Sequence, residues 1–292
     1  MIRLAMFGRA AFATQLMLLP FSSSFAHAAV TCGDTLSSLI PVRSARADTG
    51  GNVMKRLMRQ GGASRDAAVT KELLAGNLPT HLRRLTPVSI NGTLSGGQKV
   101  EVTICVTPDY LAVGSDTNYV RIPLGLPAAA RIADQFGFFL PTTRMVDAIY
   151  AQAAVRLAPS PMEPTNQMTT TDYLLRHNVK VNSMRALVSL LPEALTAGQK
   201  KDVVLSTRLT SKRGKVAIYG WHRTNGRPIQ PLSTVHGAQY ADYSHGVRLV
   251  SQTAFVNGKL QPLSQIISDP QLAVLVSSEG PMDVARLQTS LH

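Results

Sequence analysis

One stretch concentrates the side chains able to do chemistry. From Ile218 to Val250 the chain reads IYGWHRTNGRPIQPLSTVHGAQYADYSHGVRLV, which holds three of its seven histidines, its only tryptophan and three of its seven tyrosines. Aromatic residues make up only 5% of the chain, so their gathering here marks a candidate binding surface. His222, His236, Asp242 and His245 are the types that general acid–base catalysis needs: imidazoles that change charge near neutral pH and a carboxylate to orient one of them. The set also suits zinc, which in catalytic sites takes three protein ligands and a water, and His236, Asp242 and His245 are the candidate ligands. Trp221, Tyr240, Tyr243 and Arg248 would shape the substrate groove. The same histidines, hydrogen-bonded in a packed loop, could instead fix that loop without reacting.

Other chemistries have weaker support. Ser244 and His245 are neighbours, and neighbours in a strand point to opposite faces, so they do not form a nucleophile–base pair. No G-x-S-x-G elbow occurs. Ser233 or Ser244 could still meet a distant histidine, with Asp242 or Asp202 as orienter. A papain-like amidase needs a cysteine at an upstream helix start, and none is placed there. Asp109 and Asp116 bracket PDYLAVGSD as turn formers, His177 and Asn178 fall in a helix, and Glu279 is a late carboxylate able to act as a base.

These residues need elements to position them. KVAIYGW reads as a strand delivering Trp221 and His222 to its end, and SHGVRLV as another that starts at Ser244 and His245. If the two are neighbours, His222 and His245 share a sheet end, with His236 and Asp242 on the long loop above them. Upstream, a helix over SRDAAVTKELLAGN is expected with Ser64 as N-cap and Gly76 as its stop. A β-meander about 86–122 follows, with turns at Asn91-Gly92 and Gly96-Gly97 and with Val100, Val102, Ile104 and Val106 alternating as one face. The middle, about 127–197, is helical: PAAARIADQFG, PTTRMVDAIYAQAAVRL with Met145, Ile149, Ala153 and Leu157 on one side, and TTTDYLLRHNVKVNSMRALVSLL. A β-rich site region about 200–260 includes the hairpin signal Asn257-Gly258, and two short helices separated at Asp269-Pro270 end the chain. Strands, then helices, then strands predict one α+β domain over 30–292, with a mixed or antiparallel sheet, a central helical segment and one disulfide.

Export is expected from residues 1–29. Arg3 and Arg9 precede the apolar AAFATQLMLLPF, and Ala26-His27-Ala28 offers a cleavage site. An apolar run of about 12 residues is shorter than the roughly 20 that span a bilayer, and no later segment reaches that length without charge or proline. Periplasmic or secreted localisation follows, without a transmembrane anchor once the leader is cleaved. Cys32 and Cys105, the only cysteines, would then pair. The net charge of +13 favours an anionic partner. Scattered basic residues with few interleaved aromatics disfavour nucleic acid and leave an anionic cell-envelope polymer or glycan.

Ser233-Thr234-Val235-His236 followed by Ala241-Asp242 resembles the S-x-H then A-x-D arrangement of zinc-dependent cell-wall carboxypeptidases and endopeptidases. The resemblance covers residues 233–242, with two residues rather than one between Ser233 and His236, none between Ala241 and Asp242, the His-to-Asp spacing one residue shorter here and no counterpart to the family's downstream glutamate and terminal histidine. It implies zinc and a peptide substrate, and not the family's fold. The blocks PDYLAVGSD, LPTTRMVDAIY, AIYGWH, PIQPLS and YADYSHG, spread over Pro108 to Gly246, resemble those of secreted proteobacterial proteins, which implies export and no particular activity. Two classes stay open: an exported hydrolase of a cell-envelope polymer, in particular a peptidoglycan peptide or amide bond, and a non-catalytic binding protein for a glycan or acidic ligand. Intact mass of the exported protein should place its N-terminus at Ala29 or Val30; a retained Met1 would refute the leader.

Overall fold

The computed structural model describes residues 1, 2, 30–188 and 190–291. The expected leader therefore lies, apart from its first two residues, outside the described part. The fold is α+β, and Cys32 and Cys105 are joined in a disulfide with Cα atoms 5.7 Å apart.

Thr49 caps the first helix, α1 (Gly50–Arg56), by accepting from Asn52 N. Gly50 packs against the backbone of Val113, Tyr119 and Val120, where a Cβ would not fit, so this glycine serves close approach rather than a loop. Helix α2 (Gly62–Leu74) starts before Ser64, which is not its cap, and stops at Gly76 with φ 81° as expected.

Strand β1 (Thr86–Thr93) pairs antiparallel with β2 (Lys99–Val106). The expected Asn91-Gly92 turn is strand interior, opposite Glu101 and Val100, and the chain reverses at Gly96 and Gly97, both at positive φ. Leu275 occupies the space a side chain at residue 92 would need. Strands β3 (Ala112–Gly114) and β4 (Tyr119–Arg121) form a separate ribbon. Helix α3 (Leu126–Phe136) opens with Pro127 and ends at left-handed Gly137, and β5 (Phe138–Phe139) follows.

Helix α4 (Thr143–Gln152), capped by Thr142, ends well before Leu157. Val155 instead starts β6 (Val155–Arg156), which pairs parallel with β7 (Thr196–Ala197) across α5 (Thr171–Ala186). The remaining elements are β8 (Lys201–Val203), α6 (Arg208–Ser211), β9 (Ile218–His222), β10 (Pro228–Ser233), β11 (His245–Gly246), β12 (Val250–Val256), β13 (Lys259–Pro262), α7 (Leu263–Ser268), α8 (Ala273–Val276) and α9 (Val284–Leu291). Asn257 and Gly258, both at positive φ, turn β12 into β13. The Asp269-Pro270 break falls between α7 and α8, and α9 lies beyond the two expected helices.

Among the described residues two main sheets form. One runs β1-β2-β12-β13 with β5 also on β12; the other runs β10-β9-β8-β11. Strand β2 lies between β1 and β12, and from Val102 onward its residues are buried on both faces, Thr103 and Cys105 included. One apolar cluster extends from Ile40 to Leu291 and joins the sheets to α2, α3 and α4. No described helix is long and apolar enough to cross a membrane. The disulfide closes a loop of sequence separation 73. Its reduction, or Cys32→Ala with Cys105→Ala, should lower the urea unfolding free energy by about 4 kcal/mol, and an unchanged midpoint would show that the bridge does not constrain the unfolded chain.

Candidate functional site

The four expected site residues do not all meet. Strands β9 and β11 are not neighbours, because β8 lies between them: Lys201 faces Gly220 on one side and His245 on the other. The long loop is also partly regular. A turn at Thr224-Asn225-Gly226 folds the chain back so that β10 covers the free edge of β9, Pro228 opposite His222.

His222 therefore belongs to a different neighbourhood. Its Nε2 donates to Asp147 Oδ1 at 2.8 Å, and its ring stacks on Tyr150 with centroids 4.6 Å apart. Tyr219 donates to the same carboxylate at 2.9 Å. Asp147, Tyr150, Arg156, Tyr219, His222 and Asn225 line an open cavity of about 530 Å³.

The other three converge, and a local turn explains two of them. Asp242 Oδ1 accepts from Ser244 N at 2.7 Å and from Ser244 Oγ at 2.5 Å, while His245 N donates to Asp242 O at 3.1 Å. This Asx-type turn brings the Asp242 and His245 side chains together, with Oδ2 3.8 Å from Nε2. Tyr240 donates to Oδ2 at 3.3 Å. The His236 ring stacks on Tyr240 with centroids 4.1 Å apart, and the His245 ring is 6.4 Å from that of His236. The loop is held by Val216 N to His236 O, Ala238 N to Gly214 O and Leu126 N to Ala238 O.

Burial sets the charge of this cluster. It pushes His245 down to about 4, with Asp242 opposing the shift, so the imidazole is neutral at pH 7. Burial also acts to raise Asp242, but His245, the Ser244 hydrogen bonds and Lys201 outweigh it and hold the carboxyl below its usual range. Neither ring nitrogen of fully buried His245 has a hydrogen-bond partner among the described residues. Lys201 lies 5.0 Å from the centre of the Trp221 ring and its charge also acts on Asp242 and His245. Trp221 has φ 56°, an outlier for a bulky residue, and its buried Nε1 has no hydrogen-bond partner.

Tyr243 and Arg248, expected to contact a ligand, face the interior. Tyr243 is wedged between Tyr173 and His177, and Arg248 donates to Thr107 O and Thr196 O while covering the Tyr110 ring. Glu279 accepts from Ser206 and Thr207, Asp116 from Thr80, and Asp109 is paired with buried Arg121 at 2.5 Å. Among the described residues no three His, Cys, Asp or Glu side chains are grouped so as to hold a metal ion. The expected ligand set of His236, Asp242 and His245 is not so grouped: the His236 ring lies flat on Tyr240, 6.4 Å from the His245 ring.

Sequence reasoning missed Asp147, Tyr150, Lys200 and Lys201. The adjoining charges of Lys200-Lys201-Asp202 at the start of a strand were the available signal. Lys200 Nζ donates to Tyr243 O at 2.5 Å and to His177 Nδ1 at 3.1 Å. Burial, then Lys200, pushes His177 down to about 2.

No protein-family model, no curated protein and no solved structure matches the chain.

Burial, reinforced by Arg121, lowers Lys200 to about 7. Between that value and an ordinary lysine value near ~10.4 the unfolded chain holds one more proton than the native one, so stability rises with pH across this window. Urea unfolding should give about 2 kcal/mol more stability at pH 9 than at pH 7. Lys200→Met should abolish the difference; an equal rise in the variant would assign it elsewhere.

Proposed function

We propose that the protein is an exported hydrolase of a cell-envelope polymer, with a peptidoglycan peptide or amide bond as its substrate class. His245 is its general base. The observation that carries this reading is the buried, neutral His245, whose two ring nitrogens have no hydrogen-bond partner among the described residues, beside an ionised Asp242. An imidazole so placed can take a proton from water, and the carboxylate 3.8 Å away stabilises the imidazolium that forms. His245 is fully buried, and the half-buried rings of His236 and Tyr240 stand 6.4 and 5.7 Å from its own, so the substrate would have to displace that stack or act through a water. Tyr240, kept protonated by burial and by Asp242, and Lys201 are the donors available to a developing oxyanion. The disulfide suits the oxidising periplasmic or extracellular compartment that this substrate requires. The net charge of +13 suits an anionic polymer.

A second reading, a non-catalytic glycan-binding protein, draws on the open cavity around His222, walled by Tyr150 and Tyr219 with the half-exposed Asp147 carboxylate at hand. Release of soluble fragments from purified cell-wall polymer distinguishes the two. For the hydrolase, His245→Gln should reduce the rate at least about a hundredfold with the thermal midpoint retained, and the wild-type rate should fall as pH drops through about 4. Saturable binding without turnover, weakened by Asp147→Asn and untouched by His245→Gln, would replace it with the binding protein.

A further inference from the structure

Helix α5 ends in a turn that turns its leucines outward. Leu187 is 86% exposed, Leu190 47% and Leu191 68%. On the helix itself Val179, 63% exposed, shares an open groove of about 560 Å³ with Leu190. Single exposed apolar side chains are ordinary. Four gathered in one place mark a contact surface.

The backbone of the turn is satisfied from within. Arg185 donates from Nη1 to Val188 O at 3.1 Å and to Leu190 O at 3.2 Å, and from Nη2 to Leu191 O at 2.7 Å. Val188 N goes to Arg185 O, Leu190 N to Val188 O, and Ala194 N returns to Leu191 O. Pro192 has no N–H to satisfy. Val188 and Ala194 pack on the small cluster of Val155, Leu157 and Val181, which anchors the turn while the leucines stay in the open. Exposed aliphatic side chains on a backbone whose carbonyls already have donors meet the condition for entering the low-dielectric edge of a bilayer, where water is not there to satisfy them.

Charge favours the same partner. Asp172 is paired with Arg176 and Glu193 with Arg84, and exposed Lys180 lies beside Val179, with Glu163 across the neighbouring cavity. The chain as a whole carries +13, which draws it to an anionic surface. A protein partner fits less well, since four side chains fall short of the roughly 20 residues a side that a standard protein interface uses. Insertion into a headgroup layer reaches only about 5–10 Å and needs no shaped partner. We infer that this turn docks the protein on a lipid bilayer with anionic headgroups, Leu187, Leu190 and Leu191 entering the boundary between headgroups and acyl chains and Lys180 lying at the phosphates. The contact is peripheral, made by side chains alone. It is independent of the proposed hydrolase, since none of these residues belongs to the His245 cluster.

Co-sedimentation of the exported protein, its N-terminus fixed by mass, with vesicles of phosphatidylethanolamine and phosphatidylglycerol tests this against vesicles of phosphatidylcholine alone. The anionic vesicles should bind about tenfold or more tighter, and about 0.5 M sodium chloride should remove most of that preference. Leu187→Ser with Leu191→Ser should weaken binding about tenfold or more with the thermal midpoint retained, and Lys180→Gln about fivefold. Leu260→Ser, an equally exposed leucine on the β12–β13 hairpin, and His245→Gln should leave binding unchanged. No binding by folded wild type, undiminished binding by the double leucine variant, or an equal loss in Leu260→Ser would overturn the assignment. So would a dimer in sedimentation velocity that the double leucine variant dissolves, because a second copy would then cover the patch.

Discussion

The run Lys200-Lys201-Asp202 forces much of the surrounding order. It enters β8, a strand paired on both sides, and the buried charges of Lys200 and Asp202 must find partners away from bulk water. Lys200 reaches Tyr243 O and His177, Asp202 accepts from Tyr110, and Lys201 lies over Trp221 within electrostatic range of Asp242 and His245. Three consecutive residues thus tie β9, β11, α5 and the segment before β3 to one short strand. A register slip would invert the pattern and leave buried charges unpaired.

The same strand separates two histidine environments. On its β9 side His222 is saturated: Asp147 holds one nitrogen and Tyr150 covers the ring. On its β11 side His245 is buried against an ionised carboxylate with no hydrogen bond to either nitrogen. Packed interiors seldom keep such a group without reason. Trp221, between the two, combines a left-handed backbone with an unpartnered indole N–H. Unsatisfied buried polar atoms and an unfavourable dihedral each cost stability, and here they adjoin one short strand.

Buried charge recurs elsewhere. Arg121 and Asp109 form a buried pair, and burial pushes Asp202 up to about 6 despite Arg248 nearby. The high positive charge of this chain is therefore not confined to its surface: Arg65, Arg121, Lys200 and Arg248 are all internal. Removing one partner of such a pair would cost more than the pair contributes, because the remaining charge stays buried.

Local physics was readable from residue order. Glycine stops at Gly76 and Gly137, the proline start of α3, the Asn257-Gly258 turn and the alternation in β2 each depend on a few adjacent residues. The α+β class followed from such signals, and the Cys32–Cys105 bridge from an even cysteine count behind an export leader. Asp242 and His245 meet through one local turn and not through the strand pairing expected to bring them together. What adjacency does not encode is which strand lies beside which. Asn91-Gly92 has the composition of a turn, but Leu275 from a distant helix decides that it is strand. His222 and His245 sit at the ends of strands that local pattern makes equivalent. Only the insertion of β8, set by long-range backbone pairing and the need to partner its buried charges, sends one to Asp147 and leaves the other unpaired beside Asp242.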